Sequence, residues 1–325
     1  MGSAGALNGS YVPRVPGIAL AQVKSDGYMP LLFVLLAACG LLLATCGADS
    51  PVSPTDLASP TATGRVFKVM TFNMGHGMDG TGQYNLQRTV DLIARLQPDL
   101  VGLQEVTRNH PKYRCDDQPA LLAEGLRRAT GHTWQQAYVR EWSVHTDVAC
   151  QQNGSGDGPN TEGLAVLAPE PLTSVSSQKL WNSRIGLSVR VSSAGSVAVI
   201  VTHLANSARN LDDRIKQVAQ LAPWTETQGT PRVLIGDLNA QAGSTELQPL
   251  MHMYRDAWAE AAAAGTARGI ASGSTRTSGS SRIDYILYTP APGFTLEWVE
   301  TVDAAALVGT RASDHNPVVA GFRIQ

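Results

Sequence analysis

From Arg65 to the C-terminus the chain is built of short apolar runs, several of them closed by a lone amide, carboxylate or imidazole. Short apolar runs bounded by turn residues read as strands. Val66–Phe72 is the first, followed by a glycine-rich turn over Gly75–Gly82. Leu86, Val90, Ile93 and Leu96 then recur at helical spacing until Pro98-Asp99 stops them, and Leu100–Leu103 resumes as a strand. Further strands are expected at Leu164–Ala168, Leu187–Val191 and Val197–Thr202. A second amphipathic helix, with Leu211, Ile215, Val218 and Leu221 on one face, precedes strands at Val233–Ile235, Ile283–Tyr288 and Val318–Ile324. Strands outnumber helices and often follow one another directly. That pattern favours packed sheets with helices outside over a simple parallel, doubly wound sheet. No second linker or repeat interrupts the stretch, so residues 65–325 read as one domain.

The N-terminus is different material. Leu31–Thr45 is an uncharged apolar run of about 15 residues behind Lys24, short for a membrane span and suited to the apolar stretch of an export signal. The preceding residues are long for such a signal, and translation starting at Val23 or Met29 is an open alternative. Cys39 and Cys46 each end an apolar tripeptide in the manner of a lipoprotein signal. A lipidated cysteine tethering the protein to a membrane, an ordinary cleaved signal and an uncleaved anchor all remain readings of residues 1–46. Residues 47–64, rich in Pro, Ser, Thr and Ala, read as a flexible tether. An exported protein, held at the cell envelope or secreted, is the expectation. Cys115 and Cys150 lie in the exported part, where an even pair suggests one disulfide. Neither has a neighbour at zinc-ligand spacing. With 43% apolar residues the chain can fill a core, and a formal net charge of −2 argues against strong non-specific nucleic-acid binding.

The informative residues are those that end the apolar runs. Asn73 ends the first, Glu105 the second, His203 and Asp237 two later ones; Asp284 sits in another, and Asp314-His315 precede the last. Unpartnered polar groups in such positions would cost several kcal/mol each, so they either pair with one another or hold something. Each has a plain alternative: a turn cap for Asn73, a surface ion pair with Arg108 for Glu105, a core histidine for His203, an Asx turn for Asp237, neutralisation by Arg282 for Asp284, and a strand cap for Asp314-His315. All six in one chain are hard to attribute to coincidence.

The segments TFNMG (71–75), LQEV (103–106), THL (202–204), GDLNA (236–240), RIDYIL (282–287) and SDHNPV (313–318) together resemble the successive motifs of the endonuclease/exonuclease/phosphatase family. The resemblance spans essentially residues 65–325. It implies an α/β (α+β) fold, a four-layer αββα sandwich of two mixed β-sheets flanked by helices, and a metal-dependent phosphoester hydrolase. It assigns Glu105 as principal metal ligand, with Asn73 and, through water, Asp314. Such an all-oxygen set suits Mg²⁺ or Mn²⁺. His315 would be the general base or a phosphate ligand, oriented by Asp284, while Asp237 positions the attacking water and Asn239 donates to a phosphate oxygen. His203 matches a second histidine on the leaving-group side. Glu162 falls where a Glu partners that histidine, and Arg184 where an Arg grips phosphate; a loop acid and a surface arginine are their alternatives.

Substrates left open are DNA, sphingomyelin or another phospholipid, and small phosphorylated metabolites, acted on by a monomer. A non-enzymatic alternative is a cell-surface binding domain that has lost turnover. A serine hydrolase built on Ser313 or Ser280 lacks the Gly-x-Ser-x-Gly elbow. Gly265–Ser281 is polar and glycine-rich, and reads as a movable wall of the cleft in which Arg268 and Arg276 could meet phosphates.

Overall fold

The computed structural model describes residues 64–325 except 144–149, 151–159 and 207–209. The leader, Cys39, Cys46 and the tether up to residue 63 lie outside the described residues. In chain order the strands are β1 (Arg65–Asn73), β2 (Leu100–Arg108), β3 (Gln135–Ser143), β4 (Thr161–Ala168), β5 (Leu172–Lys179), β6 (Ile185–Val191), β7 (Ala198–His203), β8 (Arg232–Asp237), β9 (Arg255–Asp256), β10 (Ala267–Gly269), β11 (Asp284–Tyr288), β12 (Phe294–Thr301) and β13 (Val318–Ile324). The principal helices are α1 (Leu86–Leu96), α2 (Gln118–Thr130), α3 (Leu211–Glu226), α4 (Gln248–Met253) and α5 (Ala257–Ala264).

Two mixed sheets result, one of seven strands in the order β10-β12-β13-β1-β2-β4-β3 and one of six in the order β5-β6-β7-β8-β11-β9. The period-two alternation of strands explains why they stack with helices on both outer faces. Phe67, Val69, Leu100, Val199, Val201, Val233, Ile235 and Ile286 face the space between the sheets. Their neighbours Met70, Phe72, Val101 and Leu103 face outward onto Val90 and Ile93 of α1 and Leu122 and Leu126 of α2. On the second sheet Ile200, Leu234 and Leu287 face Val218 and Leu221 of α3 and Leu250 of α4. Each fully buried side chain of this kind contributes roughly 1.5–3 kcal/mol, which is why the central strands read as unbroken apolar runs. The sheets touch closely at Gly102, where an added Cβ would lie 2.7 Å from Ile235 and Val201 side-chain atoms.

The second amphipathic helix forms, but with a different buried face. Leu211 and Ile215 are exposed, whereas Arg214, Gln217, Val218 and Leu221 are buried. The polar pair is tolerated because Arg214 bonds Glu246 at 2.9 Å and Gln217 receives the Ala205 amide at 2.9 Å. Cys115 and Cys150 form a disulfide. The segment 265–281 is tied down by its own hydrogen bonds: β10 pairs with β12, and the amides of Thr275 and Arg276 both donate to Ser281 O.

Candidate active site

Strand direction explains how distant residues meet. β1 and β2 pair in parallel, as do β7 and β8, and these four strands end at the same edge of the sandwich. β11 runs antiparallel to β8 with Asp284 opposite Asp237, and β13 runs antiparallel to β1 with Val318 opposite Thr71. Three strands therefore deliver Asn73, His203 and Asp237 from their C-terminal ends, β2 delivers Glu105 from a bulge near its own, and two begin there with Asp284 and the Asp314-His315 turn. The backbone before Asp237 depends on Gly236, whose φ is +146° and whose Cβ would sit 1.9 Å from Thr202 O. Asp237 is 1% exposed, Asp284 1%, His203 3% and His315 3%, so their mutual contacts operate away from bulk water.

His315 Nδ1 lies 2.8 Å from Asp284 Oδ2, and its Nε2 lies 3.8 Å from Asp237 Oδ2. A carboxylate is an acceptor, so Nδ1 carries a proton, and once the ring is neutral Nε2 holds the lone pair. Burial opposes charging of this ring, but Asp284 and Asp237 outweigh it and raise its pKa to about 9. Asp237 is itself pushed upward by burial and by the Asp284 charge. Its Oδ1 accepts from the Asn239 amide at 2.9 Å and its Oδ2 from Asn73 Nδ2 at 3.1 Å.

His203 has the opposite surroundings. Arg184 Nη1 is 2.9 Å from His203 Nδ1, and a guanidinium only donates, so Nδ1 is the acceptor. The neutral ring then carries its proton on Nε2, which lies 3.6 Å from Asp237 Oδ2 and 3.2 Å from Asn239 Nδ2. Asn239 Nδ2 donates to Leu204 O at 3.0 Å. Burial, then the Arg184 and His315 charges, hold the His203 pKa well below the ordinary imidazole value. Glu162, expected beside His203, instead approaches His76. The acid on this side is Glu141, whose Oε2 accepts from Arg184 at 3.3 Å and whose pKa burial pushes up to about 8, against the pull of Arg184. Arg184 also lies over the Trp142 ring, 4.5 Å from its centroid, and a cavity of about 290 Å³ opens beside it between Trp142, Ser183 and Asn206.

Glu105 sits in a bulge of β2, between Leu103 and Val106, at a φ of +55°. A bulge re-aims a side chain, and a strained φ at a site edge persists only where neighbours enforce it. Here Asn73 Nδ2 donates to Glu105 Oε1 at 3.0 Å, and His76 Nδ1 lies 3.3 Å from Oε2. His76 Nε2 reaches Glu162 Oε2 at 2.9 Å, and its ring stacks on Tyr113 at a centroid distance of 5.0 Å. Burial disfavours a charged His76, but the Glu162 hydrogen bond and the Glu105 carboxylate raise its pKa. Asn73, expected as a metal ligand, accepts the Gly75 amide on Oδ1 at 3.1 Å, and its amide nitrogen bridges Glu105 and Asp237. Asp314, the third expected ligand, is 60% exposed at its side chain and pairs with Arg276 at 3.1 Å.

The cluster suits a hard cation. Asp237, Asp284 and His315 present ligand atoms within 4.8 Å of one another; with His315 kept as a base, the carboxylates are the donors left for a cation, and Glu105 is linked to Asp237 through Asn73. Asp284 Oδ1 is buried and has no partner among the described residues, the signature of a charge arrangement completed by something else.

His76, Tyr113, Glu141 and Trp142 were missed in the sequence. His76 stands three residues after Asn73 between two glycines, which was the available signal. Glu141 and Trp142 lie on the polar strand β3, which no apolar run announces.

The sequence profile of the Endonuclease/Exonuclease/phosphatase family matches residues 70–315, and the chain belongs to that family. Its members are phosphoester hydrolases and generally depend on a divalent metal. An endonuclease/exonuclease/phosphatase from Beutenbergia cavernae is 24% identical, with a TM-score of 0.61 over 80% of this chain and 72% of that one. The human Nocturnin catalytic domain with bound sulfate is 21% identical, with a TM-score of 0.58 over 80% and 95%. A Bacteroides thetaiotaomicron mannosyl-6-phosphatase is 14% identical, with a TM-score of 0.55 over 79% and 99%. At these identities the likeness concerns the fold. No curated protein matches the chain.

Proposed function

We propose that this chain is an exported, Mg²⁺- or Mn²⁺-dependent phosphoesterase that attacks phosphorus with water activated by His315. The observation that carries this reading is the buried Asp284–His315 pair, 2.8 Å apart, with its second ring nitrogen facing Asp237. His315 Nε2 takes one proton from water, Asp237 holds the water's other hydrogen, and the water oxygen bonds to phosphorus as the ester P–O bond breaks and the leaving oxygen takes a proton from solvent. Charge building on the phosphate and the leaving oxygen meets His203 Nε2–H, Asn239 and Arg184. His203 serves as a fixed neutral donor and not as an acid, because its guanidinium neighbour opposes an imidazolium. A divalent cation held by Glu105, with Asp237 or Asp314, would neutralise phosphate oxygens and polarise phosphorus.

Support for export comes from the apolar leader, the two lipoprotein-like cysteines and the Cys115–Cys150 disulfide, a bond favoured in oxidising compartments. A monomer is the simplest assembly. A polar cavity of about 290 Å³ lined, among the described residues, by a single cation, Arg184, and a net charge of −2 favour a small phosphorylated metabolite over DNA or a phospholipid. The test is a panel of plasmid DNA, sphingomyelin, inositol phosphates, sugar phosphates and bis-p-nitrophenyl phosphate with Mg²⁺, Mn²⁺ and Ca²⁺. Hydrolysis of a small phosphoester, abolished by EDTA and restored by Mg²⁺, is expected. Activity that survives EDTA would overturn the metal dependence, and preference for plasmid DNA would overturn the substrate class.

A further inference from the structure

Arg268 and Arg276 lie in one polar segment but end in different places. Arg268 stacks over Trp298, 4.7 Å from the ring centroid, away from the histidines. Arg276 instead reaches the site: its Nη1 is 3.0 Å from His315 Nε2 and its Nη2 is 3.1 Å from Asp314 Oδ2. The backbone beneath it is pinned. Arg276 bridges His315, the Asn316 amide donates to Thr275 O at 2.6 Å, and Thr275 Oγ1 receives the amides of Ile283 and Asp284 at 3.0 and 3.1 Å. The side chain is one-third exposed at 33%, so it can move while its hairpin stays.

A guanidinium has donors only, so when the His315 ring is neutral the 3.0 Å contact occupies the Nε2 lone pair. The same lone pair is needed to take a proton from water. The two uses exclude each other, and Arg276 must leave before His315 can act. Its exchange partner must be an acceptor better than a neutral imidazole and an exposed carboxylate. A phosphate group is such an acceptor, because it offers several charged oxygens in the forked geometry a guanidinium matches. Arg184 stands in the same relation to His203, at the other end of the row through Asp237.

We propose that Arg276 is a substrate-phosphate ligand that covers the proton-accepting nitrogen of His315 until a phosphate draws it away. The base is thereby uncovered only when something hydrolysable is in place. This rests on the phosphoesterase reading for its consequences, but its test needs no turnover. Full-length protein, wild type and R276A, is stripped of metal with EDTA. Calorimetry then measures inorganic phosphate binding, and mass spectrometry follows carbethoxylation of His315 by diethyl pyrocarbonate without phosphate. Expected in R276A are phosphate affinity reduced roughly ten- to a hundredfold and modification of His315 accelerated by about fivefold or more. R276K, which keeps the charge and the hairpin, should bind phosphate with intermediate affinity, and added guanidinium should restore part of the binding in R276A. Phosphate affinity within about twofold of wild type in both variants, or an unchanged His315 modification rate in folded R276A, overturns the proposal. A wild-type protein that hydrolyses no phosphoester would instead sink the reading beneath it, whatever the binding data show.

Discussion

Two histidines of the same burial are set to different tasks by their partners. His315 has a carboxylate at 2.8 Å and its pKa rises; His203 has a guanidinium at 2.9 Å and its pKa falls. Activity needs a neutral His315, so the rate should climb with pH as that ring loses its proton. Replacing Asp284 by Asn removes the charge that raises it, and the acid limb of kcat/KM should move down by about one unit or more while kcat falls roughly a hundredfold or beyond. An unshifted limb in D284N would show that another group is titrating. For His203 the sign reverses. R184M removes a positive neighbour, and the His203 pKa followed by NMR should rise toward the ordinary value; no movement would show that burial and the His315 charge hold it down without Arg184. In the sequence these partners were half visible. Asp284 and His315 were read as a pair because both stand in sharp motifs, and their contact is as expected. The place of Glu162 was misjudged because spacing cannot tell which imidazole a strand side chain meets across a bulge. Glu162 and Glu105 share His76, which sits at a positive φ in a turn that carries no apolar signal.

At the scale of elements, legibility followed composition. The central strands β1, β2, β4, β6, β7, β8, β11 and β13 are covered on both faces and announce themselves as apolar runs. Strands β3 and β5 sit at the sheet edges with mostly polar, exposed residues and pass unnoticed. Helix α2 was bracketed by usable signals that went unused, an Asp117 N-cap and a left-handed Gly131 after its end. Helix α3 was placed but turned wrongly, because its buried face includes Arg214 and Gln217, whose partners come from distant segments. Two elements are expected to be fragile. Gly236→Ala drives a Cβ into the Thr202 carbonyl and should cost about 3 kcal/mol or more, readable as a loss of urea midpoint. The disulfide closes a 35-residue separation and anchors the turn whose Tyr113 stacks on His76. On the chain-entropy account it contributes up to about 4 kcal/mol. Reduction should therefore lower Tm by several degrees, at about 2–4 °C per kcal/mol for a domain of this size. An unchanged Tm would mean that the loops hold without it.

At the scale of the whole molecule, two sheets pressed face to face bring six polar chain positions to one rim, from Asn73 near the start of the domain to His315 near its end. The rim is rigid because its strands are core strands, which suits chemistry that depends on fixed distances. The fold was legible because that arrangement demands doubly covered apolar strands with polar ends. The identity of the substrate was not, because the surfaces around Arg184 and Arg276 come from edge strands and loops whose residues carry no periodic signal. The most direct test of the account is hydrolysis of an accepted phosphoester in ¹⁸O-labelled water with Mg²⁺, comparing wild type with H315A. The expected result is label in the phosphate released by wild type, and a rate in folded H315A reduced by about a hundredfold or more. Label in the alcohol product, or an H315A rate within a fewfold of wild type, would contradict it.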